Sequence, residues 1–314
     1  MRRKLAFAFA GLWALALGLF LLKSLQAPDL PPSVVMAGQA TPHAGTTASG
    51  SDDAGRRSVV EAALLTPSGR LAQQASRSTN LRAFVESAKQ QPQDGGIAYA
   101  VGALQYCLHL NDLKQKYAGL SQEIATGSGQ DAARRLAGLN RMVSQCSDFT
   151  PEELQQASSL RSSGKDRDPI LALFFKGFEY SRMSMADQRS LSKSILLARD
   201  PYLLHAAGVG IGRVVVDGLW VVFFDGEKFG GVVDAQSYRD AWSLVPCNFG
   251  EDCELSSDVV IACVFEGTCH RNRLELLRSS YSGRETEFQG VIRLAAKLTE
   301  AVTSGEVDRF FRGG

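Results

Sequence analysis

An uncharged run at the start of the chain limits its fate more than any other feature. Met1-Arg-Arg-Lys4 precedes eighteen residues, Leu5 to Leu22, that carry no charge, and Lys23 closes the run. Eighteen helical residues span about 27 Å, close to the hydrocarbon thickness of a bilayer. Three cations before the run and one after it predict a single-pass transmembrane helix, with the amino terminus cytoplasmic and the rest of the chain outside. Trp13 lies mid-run and adds nothing to the orientation. The competing reading is a cleaved signal peptide. Ser24-Leu-Gln-Ala27 supplies a small-residue site, but the apolar run is long for a signal and Pro28 is a poor residue just after a cut. A buried core helix is the third, disfavoured reading.

Charge then divides the chain. Lys and Arg number 34 against 33 Asp and Glu, a net charge of +1 over 314 residues. Four of those cations stand in residues 1–23 without an acid, so the remainder carries −3. A slightly acidic body lacks the basic face that counterion release requires, and no nucleic-acid partner is expected. Residues 24–58 hold four of the ten prolines and the run Gly45-Thr-Thr-Ala-Ser-Gly-Ser51, with no apolar periodicity. They read as a flexible linker of roughly 30–35 Å r.m.s. span. The expected organisation is a cytoplasmic stub and anchor over 1–23, the linker over 24–58, a helical bundle over 59–165 and a helical C-terminal subdomain over 166–314.

The body reads as mainly α, a multi-helix domain of helical-hairpin or repeat-like pairs in which no repeat of fixed period is found. Phe288, Val291, Ile292, Ala295, Leu298 and Val302 recur on one face of a 3.6-residue period, with Glu285 and Glu287 in the first turn and Gly305 placed to end the helix. Thr150-Pro151-Glu152-Glu153 is a helix start with a capping box. Helical spacing also covers about 59–65, 80–89, 95–109, 112–126, 131–145, 169–180, 185–198, 234–246, 256–265 and 271–280. The exception is 208–231. Its β-branched and aromatic runs, broken by Asp-Gly pairs, suggest a short β-hairpin near 213–226, although a buried helix fits the apolar run equally well.

All six cysteines follow residue 100, and a body outside the cytoplasm favours disulfides. Cys107 falls on an apolar face with Ile97, Ala100, Val101 and Leu104. Cys146 follows Leu136, Leu139 and Val143 on another. Helices running up, down and up over 95–109, 112–126 and 131–145 would bring both cysteines to one end of the bundle, making a Cys107–Cys146 bond natural. Closing that loop contributes up to about 4 kcal/mol in the chain-entropy model. Cys247, Cys253, Cys263 and Cys269 have two five-residue gaps that suggest local bonds 247–253 and 263–269, and the crossed pairing stays open. With His270 these four also offer five metal ligands, but the gaps exceed the two to four of structural zinc. No Cys-x-x-Cys is present for redox catalysis.

Ala241-Trp242-Ser-Leu244-Val-Pro-Cys247-Asn-Phe-Gly250-Glu-Asp252-Cys253, followed by Ala262-Cys263 and Gly267-Thr-Cys269, resembles the C-terminal cysteine pattern of uncharacterised exported proteins of proteobacteria. The likeness covers about thirty residues. It implies a bacterial envelope protein and carries no activity with it.

Candidates for chemistry are few. Phe174-Phe175-Lys-Gly-Phe178-Glu179-Tyr180 sets a carboxylate among aromatics, where a raised pKa would make Glu179 a general acid, with Asp187 the nearest second carboxylate. The competing view makes the phenylalanines core and leaves Glu179 in water. Gly208-Val-Gly210-Ile-Gly212 departs from the dinucleotide pattern, because Arg213 stands where a third glycine is needed, and it reads better as close packing or a turn. Glu251-Asp252-Cys-Glu254 lacks the alternating oxygen ligands of a calcium loop. His43, His109, His205 and His270 read as structural or solvated. Neither a cofactor nor a metal site is expected. The chain reads as a single-pass inner-membrane protein with a periplasmic, disulfide-braced helical domain. Its expected role is that of a scaffold or assembly factor binding protein partners in an envelope complex. The alternatives are a peptidoglycan-acting hydrolase using Glu179 and, if the signal is cleaved, a secreted effector or inhibitor.

Overall fold

The computed structural model describes residues 65–116, 119–127, 130–216 and 219–311. The expected anchor at 5–22 and the linker at 24–58 lie outside the described residues. Among the described residues no helix is long and apolar enough to cross a membrane.

The described body is mainly helical with one small sheet. Its helices in chain order are α1 (Pro67–Arg77), α2 (Leu81–Ala88), α3 (Gly96–Lys116), α4 (Leu120–Thr126), α5 (Gln130–Cys146), α6 (Pro151–Gln155), α7 (Ala157–Gly164), α8 (Pro169–Gly177), α9 (Met185–Ala198), α10 (Pro201–Ala207), α11 (Gly231–Leu244), α12 (Ser257–Ile261), α13 (Arg273–Ser280) and α14 (Glu285–Ser304). Four of them begin alike. Thr66-Pro67, Thr150-Pro151, Asp168-Pro169 and Asp200-Pro201 each put an oxygen-bearing cap before a proline whose missing N–H costs nothing there. At Thr150 the reciprocal bond from Glu153 completes the capping box. The helix expected over 59–65 falls almost wholly outside the described residues, and the first described helix starts at Pro67.

Two helix boundaries differ from the periodicity reading. α3 does not end near His109. It runs on to Lys116, and the break comes at Gly119, whose φ of 95° only glycine adopts without strain. The segment expected as one helix over 112–126 is therefore the end of α3 followed by the short α4. The second difference is near the cysteine cluster, where α12 widens into a π turn over Ala262–Glu266 instead of continuing as α-helix to 265.

α3 is the axis of the domain. Ile97, Ala98 and Val101 enter the largest core with Leu171, Leu203, Trp242, Leu298 and Phe310. Tyr99, Ala103, Leu104 and Cys107 join a second core with Leu71, Phe84 and Leu154. Leu110 joins a third with Ile124, Met142 and Val264. The first half of α3 is buried on nearly all sides and needs no amphipathic stripe, whereas Leu108, His109, Asn111 and Asp112 farther along are exposed.

Within the 208–231 segment the strands lie between Arg213 and Gly230, one more than the expected hairpin has, while Gly208–Gly210 is a 3-10 turn. β1 (Arg213–Val216), β2 (Leu219–Phe224) and β3 (Glu227–Gly230) form an antiparallel meander in that order. The β2–β3 turn is Asp225-Gly226, with φ of 51° and 76°, the mirror-image geometry that an Asp-Gly pair favours. Arg309 clamps the turn: its guanidinium donates to both Asp225 carboxylate oxygens at 2.6 and 2.8 Å, and the Asp225 N–H donates to the Arg309 carbonyl at 2.8 Å. The glycine run before β1 packs tightly. A Cβ on Gly208 would stand 2.7 Å from the Trp242 ring, and one on Gly212 would stand 2.0 Å from the Phe310 carbonyl oxygen.

Candidate functional site

Three disulfides tie the helices together: Cys107–Cys146, Cys247–Cys253 and Cys263–Cys269. The last two are local bonds, so the crossed pairing does not form. Paired sulfurs leave no thiolate for a metal, and among the described residues no cluster of three or more His, Cys, Asp or Glu side chains is arranged to hold one. Cys107 reaches its partner from the middle of the extended α3, side-on to the C-terminal end of α5, rather than from a helix end.

The sequence-selected carboxylates do not converge. Glu179 follows α8 at an exposed position, and Phe178 beside it is 63% exposed. Phe174, Phe175 and Phe178 pack edge-on against one another and leave no apolar pocket around the carboxylate. Asp187 is spent at the start of α9, where the Ser184 hydroxyl donates to it at 2.6 Å. In the acidic loop, arginines occupy the place of a cation: Arg77 donates to Asp252 at 3.0 Å and Arg273 binds Glu251. Among the histidines, His109 is exposed, His270 is half-buried and His43 lies outside the described residues.

The structure gathers a different set of residues. A cleft of about 400 Å³ opens between α1, α3, α10 and the 251–258 segment. Its walls are apolar over Ala72, Ala75, Leu81, Ala103 and Leu255, and Tyr99, Tyr106 and Tyr202 bring aromatic faces into it. Exposed His205 stands at the mouth. The cleft widens at Gly102, in the middle of α3, where an added Cβ would meet only the Tyr202 ring at 3.9 Å.

Polar groups around the cleft are held in fixed bonds. The Tyr99 hydroxyl donates to Asp200 at 2.8 Å, while the other Asp200 oxygen accepts the Leu203 N–H at 2.8 Å and so caps α10. Asp200 is fully buried. Burial raises its pKa, opposed by these hydrogen bonds, and burial likewise raises that of Tyr99 well above the usual phenol. Asp168, also buried, caps α8 and accepts from the Ala98 N–H of α3 at 2.9 Å. Burial raises its pKa too. The Tyr106 phenol, screened from water, is pushed up to about 12.

Arg273 forms the charged end. A guanidinium has five N–H donors, and all five are used: two on Glu251, at 2.6 and 3.0 Å, two on Asp258, at 2.7 and 2.9 Å, and one on the Ser243 carbonyl at 2.9 Å. Its backbone N–H donates to the Cys253 carbonyl at 2.9 Å, joining α13 to the disulfide loop. Burial opposes its charge, but the two carboxylates overcome this and raise its pKa. Burial also works against the Asp258 charge, and Arg273 more than offsets that, holding Asp258 below the usual carboxylate range.

Tyr99, Asp200 and Arg273 were not singled out from the sequence. Asp200-Pro201 carried a usable signal, because it repeats the cap-proline start recognised at Thr150-Pro151. Arg273 carried none, since its acid partners lie fifteen and twenty-two residues away. Comparison with family models, with curated proteins and with solved structures finds no match to this chain.

Proposed function

We propose that this protein is a membrane-tethered binding component of the bacterial envelope. In this reading residues 5–22 anchor it, 24–58 hold the helical domain off the inner membrane on the periplasmic side, and the domain acts as a scaffold or assembly factor. It docks an apolar or aromatic side chain of a protein partner in the cleft beside Gly102. The observation that supports this best is the division of labour in the cleft. Its lining is mostly aliphatic and aromatic with Ser76, Gln145, Ser256 and Ser257 among it, whereas Arg273 in the wall and Asp200 behind Tyr99 have their hydrogen-bonding capacity taken up by the fold. Such a site offers area for burial, worth about 25 cal/mol per Å² of apolar surface, and holds its charged groups in structural bonds rather than free to act on a substrate. Three disulfides in one domain fit an oxidising compartment.

Gly102→Phe tests the docking. The position is helical and has room, so the ring fills the cleft while the helix gains from losing a glycine. Crosslinking in intact cells followed by purification from membranes is expected to lose the partner in the variant. An unchanged set of crosslinked partners would sink the cleft reading. Alkaline extraction with intact-mass analysis tests the tether: the chain is expected to stay in the membrane with its N-terminal segment intact, and a released chain starting near Pro28 would overturn it.

A further inference from the structure

The outer strand of the sheet presents a second surface that shares no residue with the cleft. Among the described residues β1 pairs with β2 alone, through Arg213↔Val222, Val214↔Val221, Val215↔Trp220 and Val216↔Leu219. Two residues separate the Val216↔Leu219 pair, so that pair closes the hairpin with hydrogen bonds, and Val214↔Val221 follows it at the same phase of the ladder. The alternation then turns the N–H and C=O groups of Val215 and Arg213 away from β2, toward the open edge. Side chains on one face follow the same two residues. Val215 is 58% exposed, its cross-strand neighbour Trp220 is 51% exposed, and the Arg213 guanidinium lies over the Trp220 ring at 4.6 Å.

The strand carries no proline, and Arg213 is its one charged side chain. Its electrostatics are one-sided as well. Arg213 makes its cation–π contact and no ion pair among the described residues. Among the described residues Arg239 of α11 donates to the Gln236 side chain, at 2.7 Å, and makes no ion pair. Burial and then the charge of Arg239 push the Arg213 pKa down. Arg213 therefore lies over an exposed tryptophan with no described acid to balance it, and Arg239 is near enough to repel it. A second copy added edge to edge would bring two more guanidiniums to the same face, and like charges across a ladder oppose pairing. The occupant must instead bring negative charge.

We propose that β1 is a strand-addition site for an extended, acidic segment of a partner protein. The added strand hydrogen-bonds the outward backbone of Val215 and Arg213. It sets an Asp or Glu beside Arg213 and Arg239, and an apolar residue two positions away against Val215 and Trp220. Tryptophan and arginine are also the residues that most often dominate interface energies. This surface does not depend on the cleft reading.

The test pans a library of random dodecapeptides on the full chain, then measures binding of synthetic versions by fluorescence anisotropy. The selected peptides are expected to pair a carboxylate with a β-branched or aromatic residue two positions away. Val215→Pro removes an outward N–H at an edge position where proline is structurally tolerated, and is expected to weaken binding at least ten-fold. Arg213→Glu is expected to do the same and to regain binding when the peptide carboxylate is replaced by lysine. This charge swap decides the matter if the proline variant fails to fold. Selection of no acidic peptides, or no loss in Arg213→Glu, overturns the proposal. Binding to phosphatidylglycerol vesicles that Arg213→Glu abolishes and Val215→Pro leaves intact overturns it too, because the surface would then be a membrane contact.

Discussion

Arg273 and Arg213 are the same residue type in opposite circumstances. Arg273 is buried, spends all five donors, and is held charged by two carboxylates. Arg213 lies on an exposed ring beside a second arginine, and its pKa is lowered. A charge that the fold neutralises has become part of the structure. A charge that the fold leaves one-sided is available to something outside it. The comparison predicts a large loss of stability on removing Arg273 and almost none on removing Arg213.

The largest effect belongs to Arg273→Met, which leaves Glu251 and Asp258 without their cation at a partly buried site. Removing one member of a buried ion pair costs 3–5 kcal/mol, and the partial exposure of both acids places this case at about 3 kcal/mol. Urea unfolding measures it, and a loss below about 1 kcal/mol would mean the network is solvated. Its pH dependence is a second check. The folded pKa of Asp258 is depressed, so its contribution is present above the ordinary carboxylate pKa of about 4 and disappears as pH falls through the folded value. The stability gap between wild type and Arg273→Met is therefore expected to shrink below about pH 4. Asp168 and Asp200, whose pKa values are raised, act with the opposite sign in both proteins and cancel in that difference.

Opening the Cys247–Cys253 bond with paired serines comes next. The sequence separation of six gives about 2.2 kcal/mol in the chain-entropy model, against about 4 for the separation of 39 at Cys107–Cys146. Glu251 lies inside the small loop, so this change and Arg273→Met are expected to be non-additive in a double-mutant cycle. Strict additivity would separate the loop from the arginine. Asp225→Asn ranks third, at about 1 kcal/mol. Asparagine also tolerates a positive φ, so the variant isolates the charge pair with Arg309 from the turn geometry. A melting temperature unchanged within error would show that the Arg309 clamp adds nothing.

What could be read in advance follows the range of the interactions. α14 was legible because its stripe from Phe288 to Val302 and its end at Gly305 are all local. The hairpin near 213–226 was half legible: its Asp-Gly pairs suggested strands, but a buried helix fitted as well and the third strand was not expected. The Cys107–Cys146 pair was legible from apolar faces, but for the wrong geometric reason, since the break near residue 110 that the argument assumed lies instead at Gly119. The cleft was not legible. Tyr99 and Asp200 are 101 residues apart, and Arg77 meets Asp252 across 175. No periodicity encodes such meetings. Glu179 misled because a carboxylate flanked by aromatics in the chain need not be enclosed by them in space, and here the rings pack edge-on against each other.

The smallest effect tests the other side of the comparison. Arg213→Gln removes a cation that is partly desolvated, that repels Arg239, and that has no described carboxylate to lose. What disappears is a cation–π contact at an exposed ring, worth about 0.5–1 kcal/mol. What is relieved is the desolvation and the like-charge repulsion, of similar size at this exposure. The net change is expected within about 0.5 kcal/mol of zero, measured by thermal unfolding at low and at high salt. Salt screens the repulsion, so any gain from the substitution should be larger at low ionic strength. A loss approaching that of Arg273→Met would mean that Arg213 is as structural as its counterpart. The contrast between a neutralised and an available arginine would then fail at its weaker end.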